Sequence, residues 1–202
     1  MRKVAIIFSV IAFCSFINFA DPITAKERKF AADYLSTVEK NLEKKVKGLS
    51  EAQLKYKTAP DRWSVEDCLK HIAMTEMGIW HMTDSIINTA ANPDKRAEIK
   101  ATDQQVIDML NDRSHKAQAA ENVQPQNTPF TSAREALASF KENRHKLIQY
   151  VNKTDNDLRN HVATFPFGSF DSYQMILFIG AHSQRHTKQI EEVMADAGFP
   201  KK

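Results

Sequence analysis

Cysteine is nearly absent from this sequence: Cys14 and Cys68 are the only two among 202 residues. If Cys14 departs with an N-terminal leader, Cys68 is a lone thiol, no intramolecular disulfide can form, and stability must come from packing. Glycine is scarce as well, with five residues, and the apolar residues recur at helical spacing, which together point to a nearly all-α chain. Neither sign of charge dominates: 28 basic against 25 acidic residues give +3, no footprint for a nucleic-acid partner. A comfortable membrane span is missing too, because the uncharged run from Val4 to Phe19 is too short for one.

That same run, preceded by Arg2 and Lys3, has the form of a secretory signal. Residues 1–20 are therefore expected to be removed, with cleavage after Ala20 or Ala25, and the mature protein to be periplasmic or secreted. Asn18 and Ile23 are poor residues three places before those two sites. Loss of 1–20 removes two basic and no acidic residues, leaving +1. A second reading comes from Ile11-Ala12-Phe13-Cys14, which resembles a lipoprotein box with bulky Phe13 where a small residue is wanted. It would anchor the chain by lipid at Cys14; otherwise no membrane contact is expected of the mature form.

What is present is 42% apolar and 26% charged residues, the balance of one globular domain, placed at 26–202. Four long helices can be read from it. The first runs from about Lys26 to Gly48, with Thr24 as a cap and Phe30, Tyr34, Val38, Leu42 and Val46 on one face. The second follows N-capping Ser64 and continues to about Ala90, with an inward stripe of Val65, Cys68, Leu69, Ile72, Thr75, Ile79, Met82 and Ile86. The third begins at Thr131 or Ser132 and carries Leu137, Phe140, Leu147 and Val151. The fourth opens at Asp171 or Ser172 and closes at Gly198, read as its C′ residue. The short first connection predicts that helices one and two are antiparallel neighbours, whereas about 40 residues between helices two and three permit a long crossover. That crossover holds an amphipathic stretch around Val106 to Leu110. The expected architecture is an all-α four-helix bundle.

Histidines occupy positions where apolar residues belong. Met175, Ile179, His182, His186, Ile190 and Val193 fall on one stripe of the fourth helix by steps of three and four. A buried imidazole without a partner costs about 1–3 kcal/mol, and one divalent ion can satisfy two rings set one turn apart. His71, at the edge of the inward stripe of the second helix, supplies a third ligand. Three neutral imidazoles leave a fourth coordination position open for water or substrate.

Trp63-Ser64-Val65-Glu66-Asp67-Cys68-Leu69-Lys70-His71-Ile72, paired with Ala181-His182-Ser183-Gln184-Arg185-His186-Thr187-Lys188-Gln189-Ile190, resembles the DinB/YfiT-like superfamily of metalloenzymes over roughly residues 26–197. The resemblance implies a four-helix bundle with a long crossover after helix two and a divalent ion, often zinc or nickel, on those three histidines. The three-histidine pattern with its open position motivates the expectation of a metal-dependent hydrolase or transferase acting on a small molecule. Some relatives use cytosolic thiol cofactors, a chemistry at odds with export. The alternative is an exported bundle that binds a metal or a small ligand without turnover, or a purely structural one. A homodimer is the expected assembly if the chain oligomerises.

Other residues carry rival readings. His81, His115, His145 and His161 are read as solvated surface groups. Glu142 and His145 form one Glu-x-x-His unit, whereas a di-iron bundle needs two such units and two further carboxylates. Arg144 is read as a snorkelling side chain, or as a binder of an anionic substrate. Cys68 is read as a core thiol or a nucleophile, Asp67 as an orienting partner of His71 or a helix-terminal charge. Trp63, Trp80, Phe165, Phe167 and Phe170 are read as packing, or as the wall of an apolar pocket.

Overall fold

A computed structural model describes residues 23–114 and 118–201; the expectations for residues 1–20, Cys14 and His115 lie outside them. Helix α1 (Ala25–Val46) starts where Thr24 accepts from the Glu27 amide at 3.2 Å while the Glu27 carboxylate takes the Thr24 amide at 2.7 Å. This reciprocal box satisfies two of the amides that a helix start leaves unpaired. Its C-terminus passes through Lys47 to Gly48, which adopts φ 74°, open to glycine at no steric cost. After a single turn, α2 (Glu51–Lys55), which has its own box at Ser50, a third box at Ser64 opens α3 (Val65–Ile87). Ser132 and Asp171 cap α5 (Ala133–Lys153) and α6 (Ser172–Met194), each accepting from the amide three residues on.

The order of packing differs from the expected one. Both α1 and α3 pack on α5 and α6, so helices one and two face each other across a diagonal rather than as neighbours. Leu42 and Val46 of α1 share a core with Val65–Ala73 of α3, Ala133–Phe140 of α5 and Ile190 and Val193 of α6. At the other end Ala31 and Leu35 join Ile87, Leu147, Val151 and Tyr173–Ala181. Thus α1 and α6 run one way and α3 and α5 the other. The antiparallel sense expected for helices one and two holds; their adjacency does not, because the link through α2 is long enough to cross the bundle. Parallel α3 and α5 require the intervening chain to travel back the length of the bundle, and it does so through α4 (Asp103–Asn111), which lies on α6.

Two further expectations are corrected. Phe30 and Met82 are exposed at 43% and 38%, while Ala31, Leu35, Thr83 and Ile87 are buried in their stead, because the buried face of each helix is rotated to meet two neighbours at once. Helix α6 ends at Met194 with Ala195 as its cap, and Gly198 instead packs under Tyr56, where an added Cβ would meet the hydroxyl at 2.4 Å. A small antiparallel hairpin, β1 (Val162–Phe165) and β2 (Gly168–Asp171), joins α5 to α6.

Candidate metal centre

The Ser64 box starts α3 so that His71 falls two turns in, facing α6, where His182 and His186 stand one turn apart. One nitrogen from each of the three rings lies within 4.8 Å of the others. Ring centroids are 4.5 Å apart for His71 and His186, 4.6 Å for His182 and His186, and 5.1 Å for His71 and His182. All three predicted residues converge.

Their hydrogen bonds fix which nitrogen faces inward. The Nδ1 of His71 lies 2.7 Å from the Val123 carbonyl, a group that can only accept, so this nitrogen carries the proton. Thr75 donates its hydroxyl to the carbonyls of His71 at 2.7 Å and Ile72 at 3.1 Å. Its oxygen is then an acceptor for the Nδ1 of His182 at 3.3 Å. The Nδ1 of His186 donates to Gln189 Oε1 at 3.0 Å. Each ring is thereby held as the tautomer that leaves Nε2 a bare lone pair, the state a metal ligand requires.

A model of the DinB superfamily matches residues 34–190. This chain belongs to the DinB superfamily. YuaE of Bacillus subtilis (strain 168), an uncharacterised protein, is 26% identical over 149 residues, covering 73% of this chain and 87% of its own length. The solved structure of YfiT from Bacillus subtilis, described as a probable metal-dependent hydrolase with an unusual four-helix bundle topology, superposes with a TM-score of 0.59 at 14% identity. That match covers 91% of this chain and all of YfiT, and at such identity it establishes the shared fold.

In this DinB-superfamily chain, burial lowers the pKa of all three histidines. Burial is the largest cause at each; at His182 the charge of His71 adds to it and the value falls to about 3, and at His186 both neighbouring rings contribute. At His71 the Val123 carbonyl offsets part of the effect. The rings are neutral at pH 7, as ligands must be. Trp63 shields the site, its ring 4.8 Å from that of His71 and 5.7 Å from that of His186. His71 and His186 are buried, while His182 is partly exposed, so of the three residues His182 lies nearest the surface.

A pH dependence follows. An unfolded histidine titrates near about 6.5, and the folded values lie below it, so under acid the unfolded chain binds protons that the folded chain refuses. The stability tied to these rings is complete above about pH 6.5 and is lost as pH falls towards about 3. The urea midpoint of metal-free protein is expected to drop more steeply between about pH 7 and pH 4.5 in the wild type than in His182→Gln. Equal slopes would contradict the neutral, buried state of the rings.

Other residues settle differently from expectation. Asp67 does not orient His71: its carboxylate takes the Ser64 amide at 3.0 Å and Lys57 at 2.9 Å, completing the helix cap. Cys68 is a core thiol, fully buried, its pKa pushed well up by burial and next by Asp67. Arg144 neither snorkels nor awaits an anion; it is wholly buried against Glu76. His161 is buried too, its Nδ1 2.5 Å from the Asp157 carbonyl and its Nε2 3.1 Å from that of Thr89, because it ties the end of α3 to the segment after α5. His81 and His145 are exposed as expected, and Glu142 pairs with Lys146 rather than with any metal-binding group. Sequence reasoning gave no role to Gln189, although its spacing of three from His186 was a usable signal; nothing local marked the Val123 carbonyl.

Proposed function

We propose that this chain is an exported metalloprotein, a divalent-metal-dependent hydrolase or transferase acting on a small molecule, with zinc or nickel on His71, His182 and His186 and one coordination position open. The observation that supports it is the three-histidine group: one nitrogen from each ring lies within 4.8 Å of the others, while each Nδ1 has an oxygen neighbour, which fits three neutral rings turned towards one ion. A bound ion supplies a water of pKa near about 7 or a grip on a substrate oxygen or sulfur. The protein's part is to keep the rings neutral, orient them and limit water through Trp63. Residues 1–20 form the signal and 26–202 the domain, released in soluble form or held by lipid at Cys14; no nucleic acid is involved, and self-association takes the form of a homodimer.

Gln189 provides a specific check. Replacing its amide by leucine frees the His186 ring to rotate or switch tautomer, and loss of such an orienting partner costs about 10–100-fold in metal affinity. Competition against a chromophoric chelator should show that loss for Gln189→Leu and its recovery in Gln189→Glu, which keeps an acceptor in place. Equal affinities for Gln189→Leu and wild type would remove Gln189 from the site.

Elemental analysis of natively purified protein decides the metal, with about one zinc or nickel per chain expected. The loaded protein is then screened against ester, amide, phosphoester and thiol-transfer substrates. Turnover of any class supports the enzyme; silence with every metal, alongside tight ligand binding, makes it a binding module instead.

A further inference from the structure

His182 is the partly exposed member of the three histidines, and what lies beside it is aromatic and apolar. Phe178, one turn before His182 on α6, holds its ring within 6° of parallel to the imidazole at 6.4 Å. Phe167, at the tip of the hairpin, stacks on Phe178 at 5.9 Å and 28° and is 56% exposed. Ile79 of α3 packs into the same small cluster. A line of apolar side chains thus runs from a candidate ligand to the surface.

Helix α3 contributes a second, independent oddity. Gly78 stands in the middle of the helix, exposed, without positive φ, and with nothing within 4 Å of where its Cβ would be. A glycine inside a helix lowers stability relative to alanine, and here neither backbone geometry nor a close approach accounts for it. It lies seven residues after His71 and three after Thr75, so it shares their face of α3. The missing side chain leaves this stretch of the α3 surface open, and Met82, one turn further on, adds an exposed apolar side chain.

We propose that this strip, from His182 along Phe178 to Phe167 and bordered by Gly78 and Met82, is a ligand subsite for an apolar, aromatic or acyl body whose oxygen or sulfur donor head reaches the metal. The inference rests on the metal reading above and names the substrate class for that site. Continuity decides the occupant: one molecule can touch the open coordination position and the rings only if a donor and an apolar group are joined within it. An isolated apolar molecule gains only the strip, and a small polar chelator only the ion.

The test uses the full chain loaded with cobalt(II), with two probes that share a head: acetohydroxamate and benzohydroxamate. Binding is read from the visible cobalt spectrum. Benzohydroxamate is expected to bind about tenfold or more tightly. Gly78→Leu, which fills the open space, and Phe167→Ala, which removes an exposed ring, are each expected to cost about fivefold or more for benzohydroxamate. Both should leave acetohydroxamate within about twofold. Equal affinity of the two probes, or variants that weaken both alike, would overturn the subsite while leaving the metal site standing. Absence of a protein-bound cobalt spectrum would overturn the metal reading and the subsite with it.

Discussion

Replacing His186 by alanine is expected to abolish the stabilisation that an added divalent metal ion would give the proposed site. A ligand that binds only the folded state at 100 times its dissociation constant adds about 2.7 kcal/mol. Three imidazoles preset in one tautomer bind as a unit; two leave the ion held only by His71 and His182, whose centroids are the furthest apart of the three pairs at 5.1 Å. His186 also has the closest contact with His71, 4.5 Å between centroids, so its loss opens the centre of the group. Thermal melts with and without added zinc should show a rise for the wild type and almost none for His186→Ala, with elemental analysis falling in parallel. A variant that keeps the wild-type rise would place the ion elsewhere.

A second large effect is expected at the bundle's centre. The Nε and Nη2 of Arg144 donate to the two oxygens of Glu76 at 2.6 and 2.7 Å, Nη1 donates to the Leu35 carbonyl at 3.0 Å, and Nη2 also reaches Ser183 Oγ at 3.0 Å. Four helices meet on one guanidinium, which also lies 4.9 Å from the Phe140 ring centroid. Arg144→Met leaves Glu76 buried without a partner, and breaking such a pair costs about 3–5 kcal/mol. The double change Arg144→Met with Glu76→Leu removes both charges, and should recover most of that loss, since well-packed apolar replacements of buried pairs are about neutral or better. Urea unfolding of the two single variants and the double variant measures the coupling. Single variants that each cost under about 1 kcal/mol would mean that the pair contributes no more than a surface contact.

These two sites differ in how far the sequence announced them. Helix starts were legible because capping is local: Thr24, Ser64, Ser132 and Asp171 each bond an amide three residues away. The three histidines were legible for the same reason in part, since spacing puts His182 and His186 on one face and His71 at the edge of the inward stripe of the second helix, a set that the family pattern then matches. Arrangement in space was less so. An apolar stripe says how much of a helix is buried but not against which partner, so the diagonal pairing of α1 and α3 was missed. Glu76 sits beside Thr75 and gave no sign of meeting Arg144, 68 positions later. The four-residue strands of the hairpin are too short to show alternation, and the Val123 carbonyl reaches His71 only because the crossover brings it there.

If the chain is exported as proposed, the first turn of α1 bears on where it would be trimmed. Ile23 is 4% exposed, part of the core with Leu35 and Ile176, and Thr24 closes the helix start. A peptidase acting after Ala20 leaves both in place; one acting after Ala25 discards an anchored isoleucine, worth about 1.5–3 kcal/mol, and a cap worth about 0.5–2 kcal/mol. The two scissile bonds are equivalent by small-residue rules but not to the folded domain, which retains its full stability only when the new terminus begins upstream of Ile23.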